Sequence, residues 1–473
     1  MPISTRDRHL VSRFSYGVTP ALTRAARGRS DAWFLDQTQP STIADTYADG
    51  LLAWFPRIVA PPGELYQRHL AGTYKGHEVC TDIQRWTMMR RTFSTRQVHE
   101  VMTDFWSNLL HISAPHDASW PWRLRYDALI RKHALGRFDD LLKAAITHPA
   151  MGCYLDNASS TSTTLNENLG REVLELHTVG VDAGYTEDDV KNSAKMLNGY
   201  RVQVRRSYEA WYSQADHVTG PLTIMGFTHP NTSSDGRAAT VAYLSYLAHH
   251  PATARRLARR LCQQFVSDEP SAALVTTVAD AYLAAKTAIV PTLLALIATA
   301  EFRASVGAKV RTPTEDAIAT YRALAVQVQA PTGPTSFANA VIYQTTSMGQ
   351  RVFDWPTPDG FPLLNESWVG VSRILNSWQT HHLQAGGYYP RDQATHRTPE
   401  SWLPPLPTRF DTLVNHLSWQ LLARAASPDL LSAACIRLKA SASTPIASPA
   451  DFPAYKMTRL LGTLLDSPQH MTR

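Results

Sequence analysis

A dense polar stretch at residues 166–177 constrains the fold of this chain more than any other feature. Its twelve residues hold three glutamates, two asparagines, an arginine and a histidine, with leucine and valine between them. On a helix, Asn168, Glu172 and Glu175 fall at i, i+4 and i+7, so their side chains share one face. Arg171 and Glu175 form a second i, i+4 pair beside that face. The stretch therefore predicts a helix that carries an active or binding centre.

Helical signals dominate the rest of the chain, and Tyr126–Thr147 is predicted to be helical up to His148-Pro149. The segment from Gly236 to Arg322 is alanine-rich and strongly periodic, and Pro313 stands at a predicted helix start. Tyr200–Arg206 alternates tyrosine, valine and arginine, which indicates a short strand. Trp211–Gly226 indicates an irregular excursion or a small hairpin. We therefore expect a mainly α protein: a large multi-helix globular fold with a small irregular or β excursion near residues 200–230.

The length and composition allow one large domain. The chain has 473 residues, of which 44% are apolar, so it can bury a sizeable core without disulfide staples. No composition break is sharp enough to mark a boundary. We expect a single large helical domain over 1–473, with a softer division between a polar-motif half (1–235) and an alanine-rich and proline-rich half (236–473).

The charge is positive but dispersed. The net charge is +6, and the densest basic patch pairs Arg255-Arg256 with Arg259-Arg260. No basic patch is interleaved with aromatic residues, so we expect no nucleic-acid binding. The four cysteines lie far apart in the sequence and match neither a zinc site nor a redox pair, which indicates free thiols.

Nothing near the N-terminus resembles an export signal. No apolar segment follows His9, and the longest apolar run, Ala288–Ala300, contains Pro291 and is too short to cross a bilayer. We therefore expect no transmembrane segment and a cytoplasmic location, with export alongside a partner left open.

A second polar stripe lies on the predicted helix Thr95–His111. Glu100, Asp104 and His111 share one face of it with Ser107. Two carboxylates and an imidazole are ligands for a divalent cation, so Glu100, Asp104 and His111 are the candidate metal ligands. The same stripe also suits a solvated face, or a buried polar network that orients helices.

Pieces of the sequence resemble, in order, the motifs of the large bacterial family called "domain of unknown function 1800". The hallmark is the stretch at 166–181 itself. The other matching pieces are Asp104-Phe105-Trp106 with Asn108, His133-Ala134-Leu135-Gly136, His148-Pro149-Ala150-Met151, Tyr154-Leu155-Asp156-Asn157, Gly184-Tyr185-Thr186 with Asp189, Asp216-His217, and Pro356 with Pro358-Asp359-Gly360.

The resemblance implies a mostly helical protein whose activity is not established. It also implies a partner protein similar to the sulfatase and alkaline-phosphatase group, and many relatives carry export signals. This chain departs from the family pattern at Leu109, where many relatives have histidine, and at Asn198-Gly199-Tyr200, where Thr-Gly-Trp is usual. The first departure weakens any metal site that needs a histidine at that position.

One functional hypothesis is a hydrolase-type enzyme with a carboxylate–histidine centre. It would use a divalent metal or act by general acid/base catalysis on a glycosidic or ester bond. No HExxH or GxSxG motif is present. The helix must end near Thr178–Gly180 if His177 is to turn inward. The candidate catalytic residues are Glu172, Glu175, His177 and Arg171, and the candidate substrate-binding residues are Asn168, Asp156, Asn157 and His217.

The other hypothesis is a non-catalytic helical binding or assembly protein. Arg171 would then bridge Glu167 and Glu175, and the polar motif would be a network that orients helices. The sequence pattern is compatible with both hypotheses, because residues shared by a family serve fold and function alike.

Overall fold

A computed structural model of the protein describes residues 3–333 and 336–473, and helices predominate. In the first third of the chain the helices are α1 (Thr5–Arg13), α2 (Pro20–Ala26), α3 (Ser30–Gln37), α4 (Thr46–Gly50), α5 (Pro62–Leu70), α6 (Gly76–Phe93), α7 (Gln97–Leu109), α8 (Arg123–His133), α9 (Phe138–Ile146) and α10 (Pro149–Tyr154).

The motif helix follows. It consists of α11 (Asn168–Glu172) continued by a π-helical turn, Val173–His177. The remaining helices are α12 (Glu187–Leu197), α13 (Arg237–His249), α14 (Pro251–Phe265), α15 (Ala272–Ala284), α16 (Ile289–Ile297), α17 (Ala300–Ala304), α18 (Pro313–Ala323), α19 (Phe337–Ser347), α20 (Val371–Ala385), α21 (Phe410–Leu422), α22 (Pro428–Leu438), α23 (Ala454–Leu465) and α24 (Pro468–Met471).

The strands are short and form antiparallel pairs. They are β1 (Tyr200–Val202), β2 (Ala210–Tyr212), β3 (Leu222–Ile224), β4 (Phe227–His229), β5 (Gln327–Val328), β6 (Ala394–Thr395), β7 (Thr408–Arg409) and β8 (Pro445–Ile446). The pairs are β1–β2, β3–β4, β5–β6 and β7–β8. The first two pairs are the β excursion near residues 200–230, so the prediction of a mainly α fold with this excursion is confirmed.

One cluster of buried apolar side chains extends from Ile3 to Leu465. Helices from both halves of the sequence pack together, as α9 does with α13 and α6 does with α19. The expectation of one domain, with a softer division after residue 235, stays a prediction. No helix within the described ranges has the length and hydropathy that a membrane crossing needs.

Two predicted helices are wrong in their bounds. The polar helix expected over Thr95–His111 covers Gln97–Leu109. The helix expected over Tyr126–Thr147 is two helices, α8 and α9. The chain breaks at Ala134-Leu135-Gly136, where the Ala134 carbonyl accepts a hydrogen bond from Trp106 Nε1 at 2.9 Å.

Close packing fixes α11 against α12. A Cβ on Gly170 would lie 2.6 Å from the backbone nitrogen of Ala194, so only glycine allows this crossing. The Ser193 hydroxyl donates to the Gly170 carbonyl at 3.0 Å. A capping box between Thr186 and Asp189 starts α12. The glycine of the motif therefore sets the position of the helix that carries its charged residues.

Candidate active site

The motif helix ends in a π-helical turn, which redirects its last side chain. The Gly180 amide donates to the Leu174 carbonyl at 2.9 Å, and Gly180 has φ of 93°. Because a π turn contains more residues than an α turn, it rotates the following side chains around the helix axis. His177 is fully buried as a result. The helix ends at His177, beside the Thr178–Gly180 segment where an inward His177 requires it to end. Such turns are frequent at functional sites.

Arg171 and Glu175 belong to an ion-pair network on the motif helix. Arg171 contacts Glu175 at 3.4 Å and Glu187 at 2.7 Å, and it lies 4.0 Å from Glu167. The Tyr185 hydroxyl donates to Glu175 at 2.6 Å. These contacts join α11 and its π turn to the start of α12. Arg171 and Glu175 are therefore engaged with protein partners.

Glu172 differs from its neighbours because it has neither a hydrogen bond nor an ion pair among the described residues. It is half-buried. Burial is the main cause that raises the pKa of its carboxyl, and the carboxylates of Glu175 and Asp359 add to the rise against the opposing effect of Arg171. A carboxyl in such surroundings keeps its proton to higher pH than usual and can act as an acid.

His177 has one engaged and one free ring nitrogen. Nδ1 lies 3.1 Å from the Leu109 carbonyl, which can only accept, so Nδ1 carries the hydrogen. Nε2 is then a bare acceptor, and it is buried without a partner among the described residues. Burial lowers the pKa of His177 to about 4, with Arg256, Arg260 and His111 contributing, so the imidazole is neutral near pH 7.

A proline-rich loop, residues 355–362, brings Asp359 to the motif helix. Asn108 holds this loop with two hydrogen bonds to the backbone of Phe361, one donated by Nδ2 at 2.8 Å and one accepted by Oδ1 at 2.7 Å. Gly360 has φ of 72°, and a Cβ there would lie 2.3 Å from the Asn108 carbonyl. His111 Nε2 donates to the Trp355 carbonyl at 3.0 Å. The end of α7 and the segment after it therefore clamp the loop.

Asp359 is the acidic group that this loop presents. Trp355 Nε1 donates to its Oδ1 at 3.1 Å and Thr357 Oγ1 at 2.5 Å, whereas Oδ2 has no hydrogen bond within residues 3–333 and 336–473. Asp359 raises the pKa of Glu172 and, together with burial, that of Tyr154, which reaches about 12. The Tyr154 hydroxyl is buried, and the backbone of Ser113 acts on its pKa in the opposite direction. We call Glu172, Asp359 and Tyr154 the Glu172 site.

The candidate metal ligands have arginine or backbone partners. Glu100 is buried between Arg90 at 3.1 Å and Arg131 at 2.7 Å. Asp104 pairs with Arg91 at 2.5 Å and accepts from a tyrosine hydroxyl at 2.9 Å. His111 is engaged with the proline-rich loop. Guanidinium groups occupy the carboxylate oxygens that a cation would need, so the geometry lends no support to a metal at these three residues.

The candidate substrate-binding residues are exposed or have structural partners. Asn168 and Asp156 are exposed, and Asp156 adopts φ of 60° at the start of a turn. Asn157 donates to the Leu197 carbonyl at 3.0 Å. His217 lies between the Asn198 carbonyl at 3.1 Å and Asn231 at 3.0 Å. Their role in binding stays a prediction.

Sequence reasoning assigned no role to several residues near the site. Asp359 and Tyr154 belong to matching family pieces, but nothing in their spacing links them to Glu172. Arg256 and Arg260 counted as part of a dispersed basic surface. Arg256 and Arg260 are four residues apart in the sequence and lie beside the apolar positions of α14. This spacing turns both side chains toward the core, whereas Arg255 and Arg259 stay exposed.

The best ligand geometry for a cation lies elsewhere. Asp316, His381 and His470 are buried, and one ligand atom of each lies within 4.8 Å of the others. Arg373 contacts the Asp316 carboxylate at 3.3 Å, and His381 bridges Asp316 at 3.1 Å and Asp466 at 2.8 Å. Burial opposes a charge on His381, but the two carboxylates raise its pKa to about 9. A protonated imidazole and a guanidinium already neutralise Asp316, which indicates a structural ion network.

Two surface cavities lie away from Glu172, which lines neither of them. One of about 490 Å³ lies between α2, α3, α6 and α18, and another of about 530 Å³ lies between α2 and α21. Glu172 is half-buried and Asp359 is exposed. A ligand would therefore reach the Glu172 site from the protein surface.

The fold and the site define a class: large helical proteins in which a π-helical turn and a clamped Pro-Asp-Gly loop bring acidic residues together. The chain belongs to the family described as "Protein of unknown function (DUF1800)", whose family model matches residues 9–472. The comparisons find no matching curated protein and no matching solved structure. The resemblance seen in the motifs is thereby confirmed over nearly the whole chain.

Proposed function

We propose that the protein is a hydrolase that uses general acid/base catalysis at the Glu172 site. Glu172 would donate a proton to the leaving oxygen of a glycosidic or ester bond. Asp359, through its free Oδ2, would take a proton from the attacking water. The water oxygen bonds to the reacting carbon as the bond to the leaving oxygen breaks, so one water molecule is consumed.

The observation that supports this proposal most strongly is the isolation of Glu172. The other charged residues between Glu167 and His177 are held by ion pairs or hydrogen bonds. A partly buried carboxyl with a raised pKa and no protein partner is a candidate functional residue. The raised pKa makes Glu172 keep its proton to higher pH than an ordinary glutamate, which is the direction that a general acid needs.

The other predicted catalytic residues take positioning roles in this proposal. Arg171 and Glu175 fix the motif helix against α12. His177 is neutral and anchors the π turn to the end of α7 through Leu109. The proposal needs no metal step. The phosphatase- or sulfatase-like partner implied by the resemblance, and the absence of nucleic-acid binding, stay predictions.

The test is hydrolysis of a panel of chromogenic glycosides and of carboxylate, phosphate and sulfate esters. Wild type should hydrolyse at least one series, and Glu172→Gln should lower the rate by about 10²- to 10⁴-fold, the usual contribution of an acid or base. Glu167→Gln, on the same helix, is the control and should keep the activity. If wild type hydrolyses no member, or if Glu172→Gln retains full activity, the proposal fails.

The non-catalytic alternative also has an observation in its favour. Glu100 and Asp104, in the polar stripe of α7, form ion pairs with arginines of α6, as expected of a stripe that orients helices. If Glu172 belonged to such a network, Glu172→Gln would lower stability as strongly as Glu100→Gln. A stable but inactive Glu172→Gln variant would contradict this alternative.

A further inference from the structure

Helix α14 carries four arginines, and two of them turn inward. Arg255 and Arg259 are exposed, whereas Arg256 and Arg260 are only partly exposed. The Nε atoms of both inward arginines are buried and have no hydrogen-bond partner. Since buried donors are nearly always paired in folded proteins, two neighbouring unpaired donors on one helix face are suited to a ligand with acceptor oxygens.

The inward arginines lie against the motif helix. Arg256 donates from Nη2 to the Leu176 carbonyl at 2.9 Å, inside the π turn. Its Cδ lies 3.2 Å from where a Cβ on Gly180 would be, so the glycine makes room for it. Arg260, one turn further along α14, has no hydrogen bond or ion pair in the part of the chain that the structure describes.

Within the described residues, no carboxylate forms an ion pair with Arg256 or Arg260. Burial lowers the pKa of Arg260 to about 10, and the charge of Arg256 acts in the same direction. Asp359 is the acidic group that opposes this effect at Arg260, and Asp182 does so at Arg256. Neither carboxylate forms an ion pair with these arginines. Asp359 acts on Glu172 as well as on Arg260, so Arg260 and Glu172 both lie near this carboxylate, whereas Arg256 reaches the motif helix through Leu176.

We propose that Arg256 and Arg260 bind an oxyanionic group of the substrate, a carboxylate, phosphate or sulfate, beside Glu172. The inference rests on the proposed function and gives it a substrate class: an anionic glycoside or ester. Guanidinium groups offer a fork of donors that matches the oxygens of such anions. Nη1 of Arg256 and both Nη atoms of Arg260 are unpaired within the described residues and supply these donors. The anion would stabilise the two buried charges and place the bond to be cleaved near Glu172.

The test measures binding of sulfate, phosphate and acetate to the full chain by calorimetry, at constant ionic strength set with chloride. At least one anion should bind saturably. Arg256→Gln and Arg260→Gln should weaken binding by about 10- to 100-fold, as expected for the loss of a charged hydrogen bond. Arg255→Gln and Arg259→Gln are charge-matched controls on the same helix and should change affinity by less than about 2-fold, as expected of exposed charges.

The outcomes distinguish this inference from the proposed function. Glu172→Gln should lose hydrolysis and keep anion binding, because the arginines are unchanged. If all four arginine variants weaken binding equally, the effect is general surface charge and the subsite is refuted. Absence of saturable binding by wild type refutes it too, and both results leave the hydrolysis test untouched. Arg260→Lys, which keeps the charge without the fork, checks that lost binding does not come from misfolding; it should fold and bind more weakly than wild type.

Discussion

Replacing Glu100 by glutamine should lower the free energy of unfolding by about 3 kcal/mol, because it breaks a buried ion network. Glu100 is 1% exposed and lies between Arg90 and Arg131. Burial alone would raise the pKa of its carboxyl, but Arg131 and Arg90 together lower it from 4.5 to about 2. At about 1.4 kcal/mol per pKa unit, that difference corresponds to ~3 kcal/mol.

The value belongs at the low end of the range for a broken buried pair, about 3–5 kcal/mol. Arg131 retains its contact with Asp127 at 2.6 Å, and Arg90 retains the Ala48 carbonyl at 3.2 Å. Urea unfolding at pH 7 measures the loss. Glu64→Gln is the matched control, because Glu64 pairs with Arg68 on an exposed surface, where the loss should stay below ~1 kcal/mol.

The network also has a pH signature. Because the pKa of Glu100 is lower in the folded protein, its stabilisation is present above about pH 4.5 and is lost as the pH falls toward 2. Glu100→Gln should flatten the acid limb of the stability curve. If Glu100→Gln lowers the free energy of unfolding by less than ~1 kcal/mol at pH 7, the network is refuted, because breaking a buried ion pair costs more than that. If a chelator destabilises the wild-type protein but not Glu100→Gln, the result would support the predicted metal site at Glu100, Asp104 and His111.

Two further predictions concern packing and alkaline pH. Gly170→Ala should lower the free energy of unfolding, measured in urea, by about 1–3 kcal/mol, because the new Cβ would collide with the backbone of Ala194. An unchanged free energy would mean that α11 can move away from α12 without cost. Asp316 raises the pKa of His381 to about 9, so stability should be complete below pH 6.5 and fall by ~1–3 kcal/mol as the pH rises through 9. His381→Gln should remove that slope, and a slope that persists in the variant would contradict the assignment.

The periodic parts of the sequence made the fold predictable. The excursion near residues 200–230 follows from the alternation at Tyr200, and the end of the motif helix follows from the requirement that His177 turn inward. Helix bounds were less accurate at Ala134-Leu135-Gly136, where a hydrogen bond from Trp106 helps to hold the break. Such a tertiary contact leaves no local trace in the sequence.

The site was only partly predictable for a similar reason. Glu172 and His177 lie in one motif and could be named together, but Asp359 approaches them from 187 residues further along the chain through the Asn108 clamp. The metal prediction treated Glu100 as a free ligand, because the pairing of Arg90 and Arg131 with it appears only when α6, α7 and α8 are packed. Arg260 turns inward because it flanks the apolar face of α14. Its positive charge, taken alone, predicts a surface position.

The protonation of Glu172 tests the central claim most directly. Its carboxyl can be titrated by ¹³C NMR on protein labelled at the glutamate side chains, with Glu172→Gln assigning the resonance. The account predicts a pKa above the usual 4.5, which falls when Asp359→Asn removes a neighbouring carboxylate. A pKa at or below 4.5 in wild type would mean that Glu172 is stabilised as a carboxylate, and it would contradict the role of this residue as the proton donor.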